Sequence, residues 1–274
     1  MLTSPEPSFF RGRTALVTGA SSGIGATISR HLAAAGCRVG ILARREDKLI
    51  DLASSAEQQG WEVLPIAGDV TSMASLEQAH STLCARWGPP ELVVHAAGSG
   101  RDQVFLCDQT EESWTASIDI NLNGAFRVCR TVLPALLDLG RGSIVLMSSV
   151  AGRRALPANT AYCAARFGLR GLTEALALEA GPAGVRVNAL APGLTRAPSV
   201  TDESLYGGQF MASLRKHHGP ESLTWERYLR SAVASTALRK MVEPDEVAQA
   251  ALFLLGPASS AMTGHVLDVD AGSL

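Results

Sequence analysis

The segment Thr18-Gly19-Ala20-Ser21-Ser22-Gly23-Ile24-Gly25 spaces its glycines as G-x-x-x-G-x-G directly after a short β-branched run. Glycines there let the backbone approach a pyrophosphate, and a helix opening after the turn aims its first amides at the phosphates. The hydroxyls of Ser21 and Ser22 add donors. The same glycines could be turn punctuation alone, but a strand before them and helix formers after them favour a dinucleotide. A carboxylate ending the second strand would hold the ribose 2′-hydroxyl of NAD(H). This chain has Ala43 followed by Arg44 and Arg45. Arg44 offers a forked donor suited to a 2′-phosphate, which favours NADP(H), with a solvated arginine pair as the plainer alternative. Asp69, after the third strand, can accept a hydrogen bond from the adenine amino group or cap the helix that begins near Ser72.

Those residues need a sheet to hold them. Apolar runs at Thr14 to Thr18, Arg38 to Ala43, Glu62 to Ala67, Leu92 to His95, Ser143 to Ser148, Arg186 to Leu190 and Val266 to Val269 alternate with helical patterns. They are continuous rather than alternately polar, as strands buried on both faces must be. The expected fold is α/β, a doubly wound, Rossmann-like, parallel seven-stranded sheet with helices on both faces. Glu243-Pro244 opens one helix and Gly256-Pro257 closes it. Residues 1–11 read as a flexible leader and 12–274 as a single domain, with a lid insertion at about 196–240 that is helical around Trp225 to Ala234. Trp225, Tyr228, Leu229 and Ala232 follow core-type spacing, while Tyr206, Phe210 and Met211 are candidates for substrate lining.

Composition excludes several functions. A net charge of −2 over 274 residues offers no broad positive field for nucleic acid or anionic lipid. The apolar stretch from Val247 to Leu255 is half the length needed to cross a bilayer, and the opening segment lacks a secretory core. Cys37, Cys84, Cys107, Cys129 and Cys163 are scattered without paired spacing, which predicts reduced thiols in the cytoplasm and no zinc site. His217-His218 is adjacent, hence not on one helix face, and reads as a solvated loop with no metal.

Six ordered segments together resemble the short-chain dehydrogenase/reductase family: the glycine loop, Asp69-Val70, Asn121 to Phe126, the Ser149 to Tyr162 interval of thirteen residues, Asn188 to Gly193, and Thr263 to Asp270. The resemblance implies an oxidoreductase that moves a hydride between nicotinamide and a ketone or secondary alcohol. In it Tyr162 is acid/base, Ser149 orients the oxygen, Asn121 supports a proton relay, and Arg166 stands where the family has lysine. A free phenol ionises near pH 10, so the phenolate needs a nearby cation, and a residue one helical turn beyond Tyr162 can provide it. By the same resemblance Gly19, Ser21, Ser22, Gly23, Ile24, Gly25, Asp69, Val70, Ala97, Gly98, Pro192, Gly193 and Thr195 contact the cofactor, with Tyr162 and Arg166 at its ribose. His95 and Ala96 stand where the family has two asparagines, and Ala197 where a threonine is common. His95 reads as a packed histidine, with a proton shuttle as the alternative. A homo-oligomer, tetramer or dimer, joined through the helices after strands four and five is implied too. Two other functions fit the same pocket: a dehydratase, epimerase or cyclase in which Tyr162 and Arg166 move protons, and a dinucleotide-binding protein with little catalysis. Polyketide, steroid, sugar and acyl substrates stay open.

Overall fold

The computed structural model describes residues 7–100, 103–217, 220 and 222–273, apart from the side chains of Pro7, Ser8, Ser199 and residues 204–207. Tyr206 as a lining side chain, His218 and the first six leader residues therefore lie outside the described residues.

Five consecutive buried residues make β1, Thr14–Thr18, the centre of the molecule. The chain then runs through α2 (Gly23–Ala34), β2 (Arg38–Ala43), α3 (Glu46–Glu57), β3 (Val63–Ala67), α4 (Met73–Trp87) and β4 (Leu92–His95). Next come α5 (Glu111–Ile118), a π-helical turn (Asp119–Asn123), α6 (Gly124–Leu139), β5 (Gly142–Met147), α7 (Thr160–Ala180) and β6 (Val185–Pro192). The last part holds α8 (Pro198–Thr201), α9 (Glu203–His217), α10 (Trp225–Ala234), α11 (Pro244–Leu255) and β7 (Val266–Val269); a single turn, α1 (Pro7–Phe10), precedes β1. All neighbouring strands pair in parallel, in the order β3-β2-β1-β4-β5-β6-β7. The fold is the expected doubly wound sheet, with strand ends shifted by one or two residues from the sequence reading.

Alternation within each strand feeds two cores. Ala15, Val17, Leu92, Val94, Val145 and Met147 pack under α2, α3 and α11, whereas Leu16, Val93, Ile144 and Leu146 pack under α4, α6 and α7. The chain reverses winding direction between β1 and β4, whose last residues, Thr18 and His95, are register partners. A crevice opens at the carboxyl ends of the strands where winding reverses, so this pairing sets where a ligand can lie.

The ordered structure begins ahead of Gly12. Phe10 is 1% exposed and belongs to the core beneath α11, because its ring fills the space beside Gly256. The insertion between β6 and α11 has a small core of its own, in which Phe210, Met211 and Trp225 are buried with Ala158. Phe210 and Met211 thus serve the lid's own packing. Among the described residues no helix is long and apolar enough to cross a membrane, and the five cysteines are free thiols.

Candidate active site

The glycine turn is built so that no side chain could occupy it. A Cβ on Gly19, at φ +70°, would meet the Ala97 amide nitrogen at 2.5 Å, and one on Gly25 would meet the Gly19 carbonyl oxygen at 2.4 Å. Gly23 lies at φ +56°, with Ala197 Cβ 3.4 Å from its own ideal Cβ. Ser22 is the N-cap of α2 and makes no side-chain cap, so its hydroxyl leaves the first amides of the helix to a ligand. Arg45, not Arg44, reaches this turn: its Nη2 donates to Ser21 Oγ at 2.9 Å and Ser22 Oγ at 2.6 Å. Arg44 is exposed beside it. A guanidinium and two hydroxyls beside an uncapped helix start make a donor set that fits a phosphorylated dinucleotide.

Asp69 Oδ1 accepts from the Thr71 amide at 2.9 Å, and the cap of α4 is Ser72, which accepts from the Ser75 amide. The helix-cap alternative for Asp69 therefore falls to Ser72. Val70 is buried against Gly124. On the far side of the crevice, Gly193 donates its amide to Val269 O at 3.0 Å after Pro192 ends β6, and Thr195 Oγ1 donates to Gly193 O at 3.0 Å.

Arg166 is the centre of the other half of the site. Its side chain, 5% exposed, donates from Nη1 to Met147 O at 2.6 Å and from Nη2 to Asn121 Oδ1 at 3.0 Å, while Nε has no partner. The guanidinium carbon lies 4.8 Å from the centroid of the Tyr162 ring, one helical turn earlier on α7. No carboxylate among the described residues pairs with it. A buried cation without an anion is costly and favours negative charge nearby. Gly98 makes room for it, since a Cβ there would come within 2.4 Å of Arg166 Nη2.

Asn121 sits in the π-helical turn and is wholly buried. Its Nδ2 donates to Ser99 O (2.8 Å) and Ser117 O (3.0 Å), and its Oδ1 accepts from the Ser99 amide (2.9 Å) as well as from Arg166. All four of its hydrogen-bonding positions are engaged. Ser149 caps the turn Val150–Gly152 and its Oγ accepts from the Ala151 amide at 3.2 Å, which leaves the hydroxyl hydrogen to donate. That turn lies against α7: Ser148 Oγ donates to Arg166 O at 3.2 Å. Ser149, Tyr162, Arg166 and Asn121 thus come from three segments held by one set of contacts.

His95 is fully buried, with Nδ1 2.9 Å from Thr18 Oγ1 and no partner at Nε2. Burial, and secondarily the charge of Arg166, pushes its pKa down to about 3. It is neutral at physiological pH, which fits the packed reading. His217 is not solvated as expected. It contacts Asp108 Oδ2 at 2.7 Å and the Phe105 ring at 4.8 Å, and Lys216 pairs with the same carboxylate, fastening α9 to the loop after β4. Hydrogen bonds from Lys216 and then His217 hold the Asp108 carboxyl down at about 2.

Several residues near Tyr162 escaped the sequence reading. Gln103, Gln109 and Asn159 line a cleft with it. They come from two connections, one between β4 and α5 and one before α7, without motif spacing, and only the fold brings them together.

The profile of the family described as short chain dehydrogenase matches residues 13–205, which include the turn, Asn121, Ser149, Tyr162 and Arg166. The chain belongs to this family. A second family description, enoyl-(acyl carrier protein) reductase, covers residues 221–273 of the same short-chain dehydrogenase. The putative ketoacyl reductase of Streptomyces coelicolor is 34% identical over 266 residues, covering 94% of this chain and 95% of its own. Among solved structures, the actinorhodin polyketide ketoreductase with NADPH is 32% identical with a TM-score of 0.84, over 95% of this chain and 96% of that one. The NAD+-bound xylitol dehydrogenase is 27% identical with a TM-score of 0.86, over 96% and 99%.

Proposed function

We propose that this short-chain dehydrogenase is an NADP(H)-dependent oxidoreductase acting on a ketone or secondary alcohol through Tyr162. The observation that carries this reading is the buried Arg166 guanidinium 4.8 Å from the Tyr162 ring with no carboxylate to neutralise it. Tyr162, with this cation against its ring, is the group that gives a proton to, or takes one from, the substrate oxygen. The free hydrogen of Ser149 Oγ holds that oxygen in line. Asn121 acts by fixing Arg166 rather than by relaying protons, because its amide has no vacant position. A bound nicotinamide supplies or accepts the hydride.

Preference for the phosphorylated cofactor is supported by Ala43 and Arg44 in place of an acid at the end of β2 and by Arg45 over Ser21 and Ser22, with Arg44 exposed beside them. The NADPH of the polyketide ketoreductase agrees with that preference, and the NAD+ of the xylitol dehydrogenase marks the alternative. Phe126 and Phe167, exposed on α6 and α7, support a homo-oligomer through those helices.

Steady-state absorbance at the nicotinamide band, with NADPH or NADH and a panel of ketones, tests the whole reading. Tyr162→Phe is expected to lower turnover by about 10²- to 10⁴-fold. Turnover unchanged by that substitution overturns the assignment, and a preference for NADH overturns the cofactor choice.

A further inference from the structure

The cleft beside Tyr162 is lined by three amide side chains whose oxygens the protein leaves unpaired. Gln103 is 4% exposed, and neither its Nε2 nor its Oε1 has a partner. Gln109 Oε1 and Asn159 Oδ1 are buried without partners as well. Leaving a buried amide group unsatisfied costs about 1–3 kcal/mol, and native structures keep few such groups without a reason.

Asn159 makes the pattern specific. It stands at the N-cap of α7, where an asparagine oxygen normally accepts from the first helical amides, yet it makes no cap bond. Its Nδ2 donates instead to Pro157 O at 2.9 Å. The residue before it, Ala158, is held at φ +60°, a conformation that costs a non-glycine residue energy and concentrates at functional sites.

From these groups we infer that the cleft recognises a hydroxyl-rich open-chain substrate, a polyhydroxy ketone or the matching polyol, whose reacting carbon lies at Tyr162. The inference rests on the reading of Tyr162 above. The unpaired set is one donor, Gln103 Nε2, and three acceptors, Gln103 Oε1, Gln109 Oε1 and Asn159 Oδ1. Hydroxyl groups both donate and accept, so neighbouring hydroxyls satisfy the set. Carboxylates, phosphates and thioester carbonyls only accept and leave the three oxygens bare. An ammonium ion would donate but would face the charge of Arg166. A site that pairs its buried polar groups only through substrate hydroxyls discriminates strongly against analogues lacking them.

The test compares erythrulose with 2-butanone, which share a carbon skeleton, as substrates with NADPH, and measures the shift in melting temperature caused by xylitol on the same protein. We expect kcat/KM to be at least about 10²-fold higher for erythrulose. Gln103→Leu is expected to cut the erythrulose-to-butanone ratio by about tenfold and to abolish the xylitol shift. The same substitution raises the melting temperature of the ligand-free protein, because an apolar group replaces an unsatisfied one; a merely structural glutamine would lower it. Gln103→Glu, which keeps the shape but loses the donor, provides the same ratio should the leucine variant fail to fold. Turnover of butanone at equal or greater efficiency, without a xylitol shift, overturns the inference and leaves the oxidoreductase reading intact. A xylitol shift lost in Gln103→Leu, with no ketone reduced, supports the recognition site and overturns the redox reading. Neither turnover nor shift overturns both.

Discussion

Two arginines, Arg186 half-buried and Arg166 buried, separate the scaffold from the site. Arg186, the second residue of β6, donates to the Ser259, Met262, Leu255 and Gly256 carbonyls and to Ser259 Oγ, at 3.0 to 3.3 Å. It closes the C-terminal end of α11, whose last carbonyls have no partner within the helix. Arg166 has two acceptors, one bare nitrogen and an aromatic ring. Neither has a carboxylate among the described residues. Arg186 lies at the amino ends of the strands, whereas Arg166 meets Met147, the last residue of β5, at their carboxyl ends. Around Arg186 the chain answers both terminal nitrogens of the guanidinium itself, and around Arg166 it leaves donors, acceptors and helix amides unanswered. Unmet bonding capacity at the carboxyl edge marks where a ligand belongs.

The largest expected effect of breaking this contrast is on stability. Arg186→Ala strips the end of α11 of its partners and should cost about 3 kcal/mol, lowering Tm by roughly 6–12 °C in calorimetry while folded molecules keep their kcat. Arg166→Met should do the reverse. It removes a buried charge and leaves stability within about 1 kcal/mol, yet lowers kcat/KM by about 10²-fold, or 2.7 kcal/mol. If both variants lose stability equally, the contrast is false. Gly98→Ala sharpens it, since the added methyl drives Arg166 off Asn121 without touching its charge. About a tenfold loss of kcat/KM is expected, and full activity would mean that the Arg166 position is unimportant.

A separate effect is on the pH dependence of stability. His95 is held at about 3 in the folded protein against an ordinary value of 6.5. The unfolded chain then binds a proton that the folded one refuses, so this stability is present above pH 6.5 and is lost as pH falls toward 3. The loss approaches 1.4 kcal/mol per pH unit. Urea denaturation between pH 7 and pH 4 should be flatter for His95→Asn than for the parent protein, and parallel curves would refute the neutral buried histidine.

Much of this was legible in residue order. Seven apolar runs predicted the strands, because strands covered on both faces have no polar side to hide. Glu243-Pro244 predicted the start of α11 through the fixed φ of proline. The spacing of Gly19, Gly23 and Gly25 marked a backbone approached too closely for a Cβ. The sequence pointed to Arg44, whereas Arg45 is the one that reaches the turn, since adjacent side chains diverge and only the path of the loop selects one. Nor could it foresee that Ser72, not Asp69, caps α4, that Phe10 belongs to the core, or that His217 meets Asp108.

By itself the sequence determined which segments are strands and helices, where the phosphate turn lies, and that Tyr162 and Arg166 share a helix face. Those features depend on periodicities of two and 3.6 residues and on what glycine and proline permit locally. Only the tertiary structure decided that Arg166 has no counter-ion among the described residues, that Asn121 is fully engaged, and that Gln103, Gln109 and Asn159 line one cleft with Tyr162, their amide oxygens unpaired. Partnership between groups far apart in the chain depends on how strands stack and loops return, and that has no local spacing to read.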